Sequence, residues 1–369
     1  MTPRYAQIVG WGKGLPVRAM HNREFEALVD TSDEWIRSRT GIVERRIVGP
    51  NESTVTLATA AARQALAAAD LDPRRIDLII VATCTPDTLM PAAAPLVQQA
   101  IGATRAGAID VNAACAGFAY ALVMANGMIA AGTHHNILVI GADTLSRWVD
   151  WTDRSVCVLF GDGAGAVVLQ ATDTPTGLFG AQLRADGAGA GLLCVPGGGT
   201  RMPPTAETIA AGAHFIHMDG PAVFKFAIQI LTESTRDVLA QAGLEVGDID
   251  LFVPHQANKR IIDSAMRAVG IPEDKVFINL DRYGNTSAAS IPIALCEAIE
   301  SGRMRPGDNV LMCGFGAGLT WGTALFQWGV PTDVPASDQW RLAGQSIVTS
   351  HHDRALAIAR RAVGSRGSR

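Results

Sequence analysis

The chain repeats itself. Ile76-Asp77-Leu78 and Ile249-Asp250-Leu251 lie 173 positions apart, and each follows a helix-like segment and a short polar link. The helix-like segments begin near Leu57 and at Leu231, the latter running to Gly243. Each triplet opens a run of strand-forming residues, Ile76–Val81 and Ile249–Val253. A helix ending at Ile101-Gly102 has its counterpart ending at Val269-Gly270, and strands follow over Ala108–Asn112 and Val276–Leu280. Helices come next, Cys115–Ala131 and Thr286–Ser301, then strands beginning at Asn136 and Asn309. Both copies close with glycines before a last strand: 161–165 before Ala166–Leu169, and 314–318 before Thr323–Gln327. The chain therefore reads as two similar α/β halves, residues 1–175 and 176–330. Their strands are continuous apolar runs, the pattern of sheets covered on both faces. The two charge-poor helices after Cys115 and Asn285 are the natural middle layer, giving a duplicated five-layer α-β-α-β-α sandwich.

Composition supports a folded enzyme-sized body. Of 369 residues, 48% are hydrophobic and 18% charged, which excludes global disorder. Val111–Ala142 contains no Asp, Glu, Lys or Arg and is long enough for a bilayer span of ~20 residues. Asn112, Asn126, Thr133, His134, His135 and Asn136 interrupt it, so it reads as a buried helix followed by a buried strand, with no membrane span. A net charge of −4 gives nucleic-acid binding no support. The six cysteines form no C-x-x-C pair and read as a reduced, cytoplasmic set. The apolar run 6–12 is too short for a signal-peptide core. Residues 194–220 are rich in Gly and Pro and read as a surface loop. Residues 331–369 have no counterpart in the repeat and read as a peripheral extension with a short helix near 353–363.

Three residues are candidates for chemistry. Cys115 stands where a strand gives way to a helix, so the helix dipole is expected to lower its thiol pKa. A buried inert thiol is the plain alternative. His255 follows a buried strand, at the carboxyl edge where ligands collect in α/β sheets; a hydrogen-bonded core histidine is its alternative. Asn285 nearly mirrors Cys115 in the second half, which points to one site shared by the halves; a helix cap is the alternative. The glycine runs do not fit a dinucleotide fingerprint, which needs a following helix. The order Cys, His, Asn also occurs in papain-like proteases, but the cysteine context and the duplicated plan do not fit that fold.

The motifs around these residues carry a resemblance. Thr31-Ser32-Asp33-Glu34-Trp35-Ile36, Arg39-Thr40-Gly41-Ile42, Ala113-Ala114-Cys115-Ala116-Gly117-Phe118, Phe160 to Gly165, Pro254-His255-Gln256-Ala257-Asn258 and Gly284 to Ser290 together resemble the β-ketoacyl-[acyl-carrier-protein] synthase III family, over about Tyr5 to Trp328. That family has the thiolase fold, itself a duplicated five-layer sandwich.

The resemblance implies an initiating decarboxylative condensation of an acyl-CoA, acetyl-CoA first among them, with malonyl-acyl-carrier-protein in fatty-acid biosynthesis. The alternative is a relative priming polyketide or other secondary metabolism with a different starter. Cys115 would be acylated, and His255 and Asn285 would stabilise the enolate. Trp35 and Arg154 would hold the CoA adenine, with Arg39 beside them. Phe160, Leu192 and Met90 would line the acyl pocket, and Ala317 would stand at the backbone oxyanion hole. Lys225, Arg260 and Arg267 would meet the carrier protein. The resemblance further implies a cytoplasmic homodimer that needs no metal and no cofactor beyond its CoA thioester substrate.

Overall fold

A computed structural model describes residues 4–329; the extension 331–369 lies outside the described residues. The repeat is visible as two sheets. The first has the strand order Tyr5–Gly14, Asp162–Thr172, Asn136–Thr144, Leu78–Ala82, Gly107–Val111. The second has the order Leu251–Pro254, Asn309–Gly316, Thr320–Gln327, Gly177–Ala185. In each sheet the strand opened by the Ile-Asp-Leu triplet runs parallel to its central neighbour, Leu78 beside Ile137 and Leu251 beside Val310. The remaining strands beyond that neighbour are antiparallel. Both sheets are therefore mixed.

Three apolar cores separate five layers. Helices Thr54–Ala68 and Ala93–Ile101 cover the outer face of the first sheet, where Leu57, Ala61 and Val97 meet Val81, Ile140 and Val168. The opposite face, bearing Ile80, Val139 and Val167, packs on the two central helices Gly117–Ala130 and Ser290–Glu300. The alternation of Val139 with Ile140 between two cores is the two-residue period of a strand. The central helices also meet Val253, Met312 and Phe326 of the second sheet. Helices Gly220–Ala242 and Lys259–Val269 close the far face against Phe252, Leu311 and Leu325. Each large apolar side chain fully buried here, such as Phe118 or Phe326, contributes on the order of 1.5–3 kcal/mol. The thiolase-like five-layer plan is what the repeat requires.

The structure corrects four details. Val276–Leu280 is not a strand. Val276 makes a single parallel bridge to Phe252, after which the side-chain amide of Gln256 takes over. It donates to the Phe277 carbonyl (3.2 Å) and accepts from the Asn279 N–H (3.1 Å), as a neighbouring strand's peptide would. The glycines of both closing runs lie within strands, Gly163 and Gly165 in Asp162–Thr172 and Gly314 and Gly316 in Asn309–Gly316. They let the middle layer approach: a Cβ on Gly165 would stand 2.7 Å from the Ile293 nitrogen. The helix expected from Leu231 already begins at Gly220, where the Asp219 side chain accepts from the Ala222 N–H (3.0 Å). Finally, the 194–220 loop carries structure of its own: Leu193–Cys194 pairs with His217–Met218, and Ala206–Ala210 is a helical turn.

Candidate active site

Cys115 sits in a turn of 3-10 helix, Ala114–Ala116, that leads into the central helix Gly117–Ala130. The turn is shaped by Asn112, whose Oδ1 accepts the Ala114 N–H (3.3 Å), while Ala114 adopts φ +45°. The second half builds the same turn. Asn285 Oδ1 accepts the Ser287 N–H (2.9 Å), Ser287 adopts φ +53°, and Ser287–Ala289 leads into Ser290–Glu300. Asn285 thus corresponds to Asn112, and Cys115 corresponds to Ala288. The expected mirror relation between Asn285 and Cys115 is displaced by three residues. Of the three non-glycine residues at positive φ, Asp70, Ala114 and Ser287, two fall at this junction, at a cost of about 1–3 kcal/mol each.

The segment 285–290 touches both other candidates. Ser287 Oγ donates to Cys115 Sγ at 3.3 Å. One turn on, Ser290 Oγ lies 2.6 Å from His255 Nδ1. His255 is placed by the end of strand Leu251–Pro254, its N–H donating to the Cys313 carbonyl (2.8 Å) and its ring meeting Phe315 edge-on at 5.2 Å. Asn285 is fixed through its backbone, donating to Leu159 O (2.9 Å) and accepting from Gly161 N–H (3.0 Å). Its Oδ1 is held by Ser287, and no hydrogen bond to its amide NH2 is formed among the described residues. Asn285 is not the helix cap: Thr286 holds that place for Ser287–Ala289, and Asn285 lies one residue before it. Cys115, His255 and Asn285 are all buried.

Electrostatics define their resting states. Burial pushes the Cys115 thiol up to about 12; the Ser287 hydroxyl pulls it down, and the Asp143 carboxylate raises it further. Burial therefore works against the lowering expected from the helix dipole, because a buried thiolate loses its hydration. Burial pushes His255 down to about 3, so the ring is neutral. Gln256 N–H donates to Ser290 Oγ (3.4 Å), which lies 2.6 Å from His255 Nδ1. A serine proton donated to Nδ1 would put the imidazole proton on Nε2.

The other expected residues fall into three groups. Trp35, Arg39 and Arg154 come together: the guanidinium carbons of Arg154 and Arg39 lie 5.0 and 5.8 Å from the Trp35 ring centroid. Arg154 is also tied to the Asp30 carbonyl (2.5 Å). Near the thiol, Phe160 is buried and bridges in parallel to Asn285, and Ala317 follows Gly316, where a Cβ would stand 2.7 Å from the Cys115 nitrogen. Leu192 is half-buried, with its Cδ1 3.6 Å from a Cβ built on Gly189. Met90 is 88% exposed in the single chain, beside Leu89 at 87%. Lys225, Arg260 and Arg267 are exposed. Arg260 stacks on Phe224 (5.6 Å), which brings it next to Lys225, while Arg267 lies two turns further along the same helix as Arg260.

Sequence reasoning missed Ser287, Ser290 and Asp143. The two serines lie inside the Gly284–Ser290 motif. Asp143 is the first charged residue after the charge-free run 111–142, a signal in itself. It is fully buried and accepts from Thr83 Oγ1 (3.0 Å), Cys84 N–H (2.9 Å), Thr85 Oγ1 (2.9 Å) and Ala288 N–H (3.1 Å). All six cysteines are free thiols.

Comparison with known proteins follows the same residues. The family model described as 3-oxoacyl-[acyl-carrier-protein] synthase III matches residues 109–193, and its C-terminal companion matches 239–328. The β-ketoacyl-[acyl-carrier-protein] synthase III of Symbiobacterium thermophilum is 54% identical, covering 89% of this chain and 100% of its own. That of Roseiflexus castenholzii is 51% identical over 88% and 98%. The crystal structure of the Aquifex aeolicus synthase III superposes with a TM-score of 0.82 at 45% identity, covering 88% of this chain and all of that one. The priming β-ketosynthase of the R1128 polyketide pathway gives 0.83 at 36% identity, over 89% and 98%.

Proposed function

The chain belongs to the β-ketoacyl-[acyl-carrier-protein] synthase III family, and from that premise we propose that Cys115, His255 and Asn285 carry out its reaction. The enzyme is an acyltransferase that initiates fatty-acid synthesis by condensing an acyl-CoA with malonyl-acyl-carrier-protein. The observation that carries the assignment of residues is the segment 285–290, which contacts Cys115 through Ser287 and His255 through Ser290 while presenting Asn285.

In the proposed sequence, the Cys115 thiolate attacks the acyl-CoA carbonyl. The new S–C bond forms, the CoA sulfur leaves, and it takes up the proton that Cys115 lost. The Cys115 N–H and a backbone amide near Ala317 receive the oxyanion. Malonyl-carrier-protein then enters and loses CO2. His255 Nε2–H and the Asn285 amide donate to the thioester oxygen as negative charge collects there. A neutral histidine suits this step, because it donates without a charge to desolvate. The enolate carbon attacks acyl-Cys115, the C–S bond breaks, and the Cys115 thiolate leaves and takes up a proton from solvent. The CoA thioester is the substrate, and no separate cofactor or metal enters.

For CoA to stack on Trp35, Arg154 must move off the ring and close on the far side of the adenine, with Arg39 flanking it. Lys225, Arg260 and Arg267 offer a basic face to an acidic carrier protein. Exposed Leu89 and Met90 are covered by a second copy in a homodimer, and a cytoplasmic location accompanies the substrates. Among the described residues no helix is long and apolar enough to cross a membrane.

The test is condensation itself. Purified protein, malonyl-carrier-protein and a panel of acyl-CoAs should give the 3-oxoacyl product, with acetyl-CoA preferred. No product with any starter would overturn the reading. Preference for a longer or branched starter would instead favour the second one, priming of polyketide synthesis, which the R1128 likeness supports.

A further inference from the structure

We propose that Ser287 is a catalytic residue: its hydroxyl donates to the Cys115 sulfur and stabilises the thiolate that attacks the acyl-CoA. This rests on Cys115 being the nucleophile. Three observations converge on it.

The first is contact. Ser287 Oγ lies 3.3 Å from Sγ, and among the described residues no other side chain hydrogen-bonds that sulfur. The surroundings otherwise oppose the anion. Cys115 is buried, and the buried Asp143 carboxylate raises its pKa further. A hydroxyl donor is the one side-chain group there that favours negative charge on sulfur, and hydrogen bonds to charged groups are stronger than neutral ones.

The second is fixation. Ser287 is held in a conformation that serine rarely adopts, at φ +53°. Its N–H is tied to Asn285 Oδ1 and the next N–H, of Ala288, to Asp143 Oδ2. The other Asp143 oxygen accepts from Thr83, Cys84 and Thr85 in the first half. Asp143 therefore positions Ser287 across the boundary between the two copies.

The third comes from the repeat. The counterpart of Ser287 is Ala114, which adopts φ +45° in the same Asn-led turn with only a methyl group. The turn does not need a hydroxyl. The one present at 287 reaches two thiols of the other half, the nucleophile Cys115 and Cys84 beside it.

Ser287 acts only while sulfur carries charge. Formation of the thiolate and its attack depend on the hydroxyl; once Cys115 is acylated, decarboxylation of the malonyl group at His255 and Asn285 does not. The experiment compares wild type with Ser287→Gly, which accepts the backbone angle, and with Ser287→Ala, which copies the tolerated residue of the first half. Iodoacetamide alkylation of Cys115 is followed by mass spectrometry of its peptide between about pH 6 and 10. The expected result is a rate about tenfold lower at every pH in both variants, one unit of thiol pKa. Acylation by acetyl-CoA falls in parallel, and malonyl-carrier-protein decarboxylation falls far less. An unchanged alkylation profile overturns the proposal. So does equal loss of acylation and decarboxylation, which would mark a structural role. The alkylation readout needs no substrate. A shifted profile in a protein that never acylates would therefore preserve the hydroxyl–thiolate contact and fail the condensing reading instead.

Discussion

Ser290 Oγ lies 2.6 Å from His255 Nδ1 and accepts from Gln256 N–H, and a serine proton donated to Nδ1 would hold the imidazole proton on Nε2. Ser290→Ala frees the ring to take the other tautomer, which cannot donate toward the substrate. Loss of one such hydrogen bond, ~1 kcal/mol, corresponds to about fivefold in rate. Condensation and malonyl decarboxylation should fall by that factor or more, with Cys115 acylation retained. Steady-state and single-turnover assays on the same preparation check the split. Loss of acylation alone would contradict it.

The pH dependence follows from the direction of the shift. Burial lowers the His255 pKa to about 3, so the ring stays neutral from there upward. Decarboxylation should therefore show no acid limb near pH 6.5, the unperturbed histidine value of about 6.5. The same shift bears on folding. The unfolded chain binds the proton more readily, so the contribution of neutral His255 is full above about pH 6.5 and is lost as pH falls toward 3. A decarboxylation rate halved at pH 6.5 would contradict a neutral ring.

Gly316 is where the second half comes closest to the nucleophile. A Cβ there would stand 2.7 Å from the Cys115 nitrogen and 3.0 Å from its Cβ. Gly316→Ala should displace the turn that carries Cys115 at a cost of about 1–3 kcal/mol. A lowered melting temperature together with slowed acylation is expected. A variant as active and as stable as wild type would show that the turn tolerates the displacement.

Arg260, stacked on Phe224 beside Lys225, is the test of the basic face. Arg260→Glu should raise KM for malonyl-carrier-protein several-fold, more at low salt, because rim charges act through steered encounter. KM for acyl-CoA should hardly change. Equal effects on both substrates would remove Arg260 from carrier-protein recognition.

Much of this was legible in the chain because a repeat states its fold twice. Ile76-Asp77-Leu78 and Ile249-Asp250-Leu251 do open corresponding strands, and the charge-poor helices do form the middle layer. The reading failed where side chains replaced backbone. The edge expected at Val276–Leu280 is completed by the Gln256 amide, a substitution that strand propensity does not register. It also failed where two effects on one group oppose. The helix dipole and burial act on the Cys115 thiol with opposite signs, and the depth of burial is visible only in the packed structure. Ser287 and Ser290 were within sight as part of a motif, but their separate targets depend on a helical turn that points one at sulfur and the other at imidazole.

The central claim is that Cys115 receives the acyl group. Intact protein mixed with isotopically labelled acetyl-CoA, without malonyl-carrier-protein, and then digested should carry the label on the Cys115 peptide. His255→Ala should retain that label, and Cys115→Ala should lose it. Absence of label from Cys115 with every acyl-CoA tested, or label on another residue, would contradict the account.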